Sequence, residues 1–200
     1  KYFYVWLDAP IGYISTTKAW ADQNQMDWKQ IWANSEYEIH HFIGKDIMYF
    51  HTLFWPAMLD VAKFQKPKKV HVHGFLTVNG EKMSKSRGTF ILASTYLKHL
   101  KPDLLRYYYA SKLSNSLEDI DLNLDDFMLK INSDVLGKVV NIASRLGSIL
   151  HKKSSGKLTK IDNNGTELLN ALQAQSNEIA VAYETLDYNK AMRLIMGCAD

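Results

Sequence analysis

The residues best suited to chemistry lie in one short stretch, Lys82-Met83-Ser84-Lys85-Ser86, followed by Arg87-Gly88-Thr89. Three cations and several hydroxyls after a sheet edge make a loop able to close over a polyphosphate. Its ammonium groups would counter charge developing on a leaving pyrophosphate, while Ser84, Ser86 and backbone amides hold the loop in position. The bland alternative is a solvated basic turn. Other side chains are more ambiguous. Trp6 sits in an apolar run and reads equally as a core aromatic or a pocket wall. His51 falls on the apolar face of a helix, where a hydrogen-bonded core histidine is the ordinary case. His71 and His73 are two apart on a strand face, a spacing that metals use. No cysteine or nearby carboxylate completes a set, so no metal site is expected.

The elements that must position these residues can be read in order. Tyr2–Leu7 is an aromatic and β-branched strand run ended by Asp8-Ala9-Pro10. A helix is predicted from about Ser15 to Asn24, capped by Ser15 or Thr16. Glu36–Ile43 is a second strand, closed by Gly44. Asp46 then stands where an N-cap belongs for a helix over 47–59, which Pro56 should kink. Val70–His73 is a third strand and Phe75–Val78 a short one before the turn signal Asn79-Gly80. Strands alternating with helices predict a parallel, doubly wound α/β sheet. Later segments read as helices at 95–100 and from Pro102 to about Leu113, with a polar, acidic connector over 114–124. Beyond Asp125 the pattern is purely helical, carried by Phe127, Ile131, Val135, Val139, Ile142, Leu146 and Ile149. A Lys/Ser/Gly loop at 152–157 precedes helices near 166–184 and 188–199.

Composition narrows the class. Of 200 residues, 46% are hydrophobic and 22% charged, a balance that supports a buried core. With 24 Lys and Arg against 21 Asp and Glu, the net charge of +3 excludes a polybasic protein. Nucleic-acid contact would have to come from local patches. Cys198 alone rules out an internal disulfide framework or a multi-cysteine zinc site, and fits a reducing, cytoplasmic setting. No apolar run reaches the roughly 18 residues of a membrane span, so no membrane partner is expected. The chain opens at Lys1 in a strand and closes inside a helical stretch, so both ends are expected to be cut from something longer.

The pentapeptide Lys82–Ser86 resembles the second signature of class I aminoacyl-tRNA synthetases. Flanking segments narrow the resemblance to the methionyl-tRNA synthetase family. They are Tyr4-Val-Trp-Leu-Asp-Ala-Pro-Ile-Gly-Tyr13, His41-Phe-Ile-Gly-Lys-Asp-Ile47 running on through His51 to Trp55-Pro56, Val72-His-Gly74 before Val78-Asn-Gly80, and Asp119-Ile-Asp-Leu-Asn123. The resemblance implies the second half of a Rossmann-like nucleotide-binding fold over residues 1–100. A stem-contact connector over 101–124 and the start of an all-α anticodon-binding bundle over 125–200 would follow. It implies that Trp6, Ala9, Pro10, Tyr13, His51 and Trp55 form or gate a methionine pocket, whose thioether suits aromatic walls and donors from Tyr13 and His51. Gly44, Asp46, His73, Gly74 and Leu76 fall where the family holds the nucleotide of ATP, and Asp46 can serve there and as a cap. Lys85 would stabilise the ATP phosphates, with Lys82, Ser84 and Ser86 supporting. ATP would come with Mg, and the family's zinc site lies outside this segment.

Towards the RNA, six cations (Lys138, Arg145, Lys152, Lys153, Lys157, Lys160) fall within 136–160 with no acid. That charge can track phosphates or solubilise a helix face. By resemblance, Asn141 and Arg145, at i and i+4, contact the anticodon of tRNA(Met). One family feature is missing: no His-x-Gly-His segment occurs. The piece alone is therefore expected to be inactive, or nearly so. A non-catalytic tRNA-binding module on the same fold, or another class I synthetase, are the alternative readings.

Overall fold

The computed structural model describes residues 8–34, 36–84 and 88–200. It divides into two compact units, the first ending at Phe75 and the second beginning at Leu76.

In the first unit, α1 (Ile11–Gln23) starts four residues earlier than its hydroxyls suggested. The Asp8, Ala9 and Pro10 carbonyls accept from the amides of Ile11, Gly12 and Tyr13, each at 3.0 Å, so the helix winds directly off the proline. Ser15 is therefore interior rather than a cap, its hydroxyl bonding back to the Ile11 carbonyl at 3.2 Å. A short helix unseen in the sequence, α2 (Trp28–Ala33), follows, capped by Asp27. Strand β1 (His40–Gly44) is shorter than predicted and pairs in parallel with β2 (Lys69–His73), placing Gly44 opposite His73.

Between the strands the chain stays helical but changes pitch. A 3-10 turn (Lys45–Ile47) leads to a π-helical turn (Phe50–Phe54), and then to α3 (Trp55–Val61). Pro56 thus falls in the first turn of α3, where its missing N–H is harmless, and the wide π turn takes up the strain expected as a kink. Asp46 lies inside the 3-10 turn with no side-chain cap, which corrects its reading as an N-cap. Trp32, Trp55 and Leu59 are buried together, flanked by Ile14, Trp28, Ile31, Ile39, Met58 and Phe64. Each such side chain contributes about 1.5–3 kcal/mol by leaving water.

The second unit opens with β3 (Leu76–Val78), which turns into β4 (Glu81–Lys82). Asn79 (φ 49°) and Gly80 (φ 78°) both take left-handed backbone, the combination that a tight primed hairpin turn requires. On its other edge β3 pairs in parallel with β5 (Ile120–Leu122), inside the stretch read as a connector. Two small sheets thus stand among the described residues in place of the single doubly wound sheet expected: a parallel pair and a mixed triplet. The chain is α/β as predicted.

Helices α4 (Ala93–Leu97), α5 (Pro102–Lys112) and α6 (Leu124–Lys130) surround that sheet. Val78, Tyr108, Leu122, Phe127 and Ile131 form its core. A π-helical run (Ile131–Val140) carries α6 into α7 (Asn141–Ser154), which ends at Ser155 in the left-handed region. The predicted 152–157 loop therefore begins only after Ser154. Helices α8 (Asn163–Ala174), α9 (Ser176–Glu184) and α10 (Tyr188–Cys198) complete the unit, and α8 and α10 are capped by Asp162 and Asp187. Asn189 ties α10 to the end of α5, its amide N–H meeting the Leu113 carbonyl at 2.7 Å and its side chain the Ser111 carbonyl at 2.5 Å. No described helix is long and apolar enough to cross a membrane.

Candidate active site

In the first unit, three side chains singled out from the sequence converge with one that was not. The first turn of α1 delivers Tyr13. The π turn before α3 delivers His51, and the first residue of α3 is Trp55. The Tyr13 hydroxyl lies 2.8 Å from His51 Nε2, and His51 Nδ1 lies 3.0 Å from the Ile47 carbonyl. A carbonyl can only accept, so Nδ1 carries the ring proton of the neutral imidazole and the tyrosine O–H donates to Nε2. Both donors expected to face a thioether are therefore engaged within the protein. His51 and Trp55 are 1% exposed and form the buried side of the group, so the aromatic surface it leaves open is that of Tyr13, 39% exposed at the rim. Pro10 is buried and Ala9 exposed just before α1. Trp6 lies outside the described residues.

A second group gathers at the carboxyl ends of β1 and β2. This is the end of a parallel pair at which open α/β sheets bind ligands. Gly44 ends β1. A Cβ placed there would stand 2.7 Å from Asp46 Oδ1 and 3.9 Å from the His73 ring, so the absent side chain is what lets Asp46 fold back over the strand end. His73, opposite Gly44 in the register, donates from Nδ1 to the Gly74 carbonyl at 2.8 Å, with Nε2 turned away from that bond. Gly74 is buried. Lys45 stacks its ammonium 4.6 Å above the Phe75 ring.

The second unit holds the cationic loop. Lys82 ends β4, and Ser84 lies two residues on; Lys85, Ser86 and Arg87 lie outside the described residues. Leu76, half-buried, opens β3. The base of the loop is clamped by one hydroxyl: Thr89 Oγ1 accepts the Ser84 amide at 3.0 Å and donates to the Lys82 carbonyl at 2.9 Å. Met83 packs against the core of this unit. Below it, Asp121 Oδ1 accepts from the Thr77 hydroxyl at 2.7 Å and the Gly80 amide at 2.8 Å, fixing the hairpin. Asn123 caps α6 through the Asp126 amide at 2.9 Å. The Asp119–Asn123 segment is thus the footing of the hairpin.

Asn141 bonds its amide to the Gly137 carbonyl at 2.9 Å, and Arg145 is exposed one turn further along α7. Lys138 is paired with Asp200 at 2.6 Å, and His151, Lys152 and Lys153 occupy the last turn of α7, where cations suit the helix dipole. The Tyr107 and Tyr108 hydroxyls are occupied internally, by Asp134 at 2.5 Å and Asp126 at 2.9 Å. Burial raises both phenol pKa values, and the neighbouring carboxylates raise them further.

A family model for tRNA synthetases class I (M) matches residues 1–147. The chain belongs to the class I (M) tRNA synthetases. It is 54% identical over 200 residues to the methionine–tRNA ligase of Bdellovibrio bacteriovorus and 55% identical to that of Rhodopirellula baltica, spanning 29% of the length of each. A crystal structure of Mycobacterium tuberculosis methionyl-tRNA synthetase bound by methionyl-adenylate matches at 26% identity with a TM-score of 0.71, over 80% of this chain and 32% of that one. The free state of the same enzyme matches in fold over 98% of this chain and 37% of that one, with a TM-score of 0.75 at 23% identity. The family read from the loop pentapeptide and its flanking segments is borne out.

Within this synthetase framework, sequence reasoning passed over His41, Thr89 and Asp121 as working residues. His41 is buried and accepts the Trp55 indole N–H at 3.1 Å. Its ring centroid stands 4.7 Å from that of Tyr13 and 5.4 Å from that of His51. Burial, and secondarily the nearby His51, lowers its pKa to about 4, so it is neutral at physiological pH. Strand parity held the signal: His41 and Ile43 share the buried face of β1.

Proposed function

We propose that this chain works in methionine activation, holding methionine and ATP while methionyl-adenylate forms and then serving its transfer to tRNA(Met). The observation carrying this reading is the aromatic group of Tyr13, His51 and Trp55, built in the same unit as the ligand-binding end of the parallel pair β1–β2. On this reading Tyr13, His51 and Trp55, with Trp6, Ala9 and Pro10, take the methionine side chain. A polarizable thioether gains from such aromatic surface without needing a strong donor. Gly44, Asp46, His73, Gly74 and Leu76 take the nucleoside. A methionine carboxylate oxygen attacks the α-phosphorus in line, the bond from that phosphorus to the bridging oxygen breaks, and pyrophosphate leaves with the bonding pair. Lys85, aided by Lys82, Ser84 and Ser86, neutralises charge on the departing phosphates. Among the described residues no three His, Cys, Asp or Glu side chains assemble as metal ligands.

By the same reading, residues 1–100 form the second half of a Rossmann-like catalytic domain and 101–124 are the stem-contact connector. Residues 125–200 begin an anticodon-binding bundle that presents Asn141 and Arg145 to the RNA. The test is methionine-dependent ATP–pyrophosphate exchange by the complete gene product that carries this sequence. Lys85→Ala should abolish exchange while methionine still quenches tryptophan fluorescence. Full exchange in that variant would remove the role assigned to Lys85, and exchange driven by another amino acid would overturn the methionine assignment.

A further inference from the structure

We infer that His41 is a positioning residue that sets methionine selectivity by holding the Trp55 indole in place. The inference rests on the methionine-pocket reading above and adds a residue to it. Trp55 is 1% exposed, so an unpaired indole N–H there would carry a desolvation cost that an acceptor inside the protein removes. His41 Nε2, at 3.1 Å, is the acceptor. The bond joins the second residue of β1 to the first residue of α3, two elements otherwise linked through the 3-10 and π turns. It therefore fixes the indole against the strand at the point where helix pitch is least regular. The same imidazole abuts Tyr13 and His51. Tyr13, His51 and Trp55 are thus arranged around one neutral ring, which fixes the wall through an acceptor that phenylalanine or leucine at position 41 would lack. Shape selection by such a wall is sensitive to small displacements, since discrimination by apolar fit amounts to only about 1–3 kcal/mol in all.

His41→Phe keeps a planar ring and removes the acceptor; His41→Gln keeps an acceptor near the position of Nε2. In the complete gene product, His41→Phe should raise KM for methionine at least tenfold with KM for ATP within twofold of the parent, and His41→Gln should recover most of the loss. A double-mutant cycle with Trp55→Phe distinguishes action through the indole from general damage. Once Trp55 is phenylalanine there is no N–H to hold, so His41→Phe should then change KM for methionine by less than twofold. Should His41→Phe fail to fold, the same cycle run with His41→Gln and His41→Leu gives the corresponding comparison. An unchanged methionine KM in the acceptor-less variants, or an effect equally large in the Trp55→Phe background, overturns the inference. A parent protein without methionine-dependent exchange overturns the pocket reading itself, a result separable from either of these.

Discussion

Thr89 gives a quantitative handle on the cationic loop. Its single hydroxyl spans the loop base, taking the Ser84 amide and giving to the Lys82 carbonyl. Thr89→Val preserves the β-branched shape and deletes both bonds. A net hydrogen bond contributes about 0.5–1.5 kcal/mol, and the Lys82 bond is exposed, so the lower half of that range applies. Together they hold the base by about 1–2 kcal/mol, which raises the open population about 5–30-fold when lost. Trypsin reads this directly, because Lys82, Lys85 and Arg87 all lie between the clamped residues or at their edge. Where opening and closing outrun cleavage, the cleavage rate follows the open population. Under native conditions Thr89→Val should be nicked in this loop about 5–30 times faster than the parent, and Thr89→Ser should be close to the parent. Both bonds are also lost on global unfolding, so stability in urea should fall by the same amount, about 1–2 kcal/mol, and by no more, since Met83 stays packed against the core. Equal nicking rates for the parent and Thr89→Val would refute the clamp.

Two other outcomes follow from the first unit. Trp32 Nε1 is buried without a hydrogen-bond partner, an orphan that costs about 1–3 kcal/mol. Trp32→Phe should therefore change stability in urea by less than about 1 kcal/mol, whereas Trp55→Phe, which strands the His41 acceptor, should cost about 2 kcal/mol or more; equal losses would refute the assignment. His41, its pKa lowered by burial to about 4 against 6.5 when unfolded, takes up a proton on unfolding between those values. Its contribution to stability is full above pH 6.5 and is lost as pH falls toward 4. Midpoints should decline across that window less steeply in His41→Gln, and parallel declines would count against the burial of a neutral imidazole.

How much of this was legible in the sequence depends on the kind of signal. The helices from Asp125 onward announce themselves by period, yet the stripe that defines them is only half used. Phe127 and Ile131 are buried, while Leu146 and Ile149 are 60% and 50% exposed. Periodicity reports which face is apolar and carries no information about what covers it. Boundaries set by local chemistry were missed where backbone carbonyls did the capping. Ser15 looked like a cap, but the true start of α1 lies at Pro10, where the main-chain carbonyls of Asp8, Ala9 and Pro10 accept from the first turn. Strand β5 was hidden because Asp119 and Asp121 make its sequence look like a loop. Asp121 is there to accept two hydrogen bonds from the neighbouring hairpin, a purpose visible only once the chain is folded.

The candidate site divides along the same line. Tyr13, His51, Trp55 and the loop lysines are singled out through the family resemblance of the segments around them; by type and place alone His51 reads as an ordinary core histidine. The residues that brace these segments act through a few specific neighbours, and their types are unremarkable for their elements: a threonine after a loop, an aspartate in a short strand, a histidine beside another histidine. The two imidazoles nearest Tyr13 make the point. Both are buried, each has one nitrogen committed as an acceptor to a specific donor, and His51 donates from its other nitrogen to a carbonyl while His41 is held neutral. Such a pair cannot be assigned from residue type alone, since either ring could have been donor, acceptor or cation. The tautomers follow only from which partner sits 3 Å away. The rigidity of the aromatic group is therefore a property of pairings between β1, α1 and the turn before α3, which no one of those segments specifies by itself.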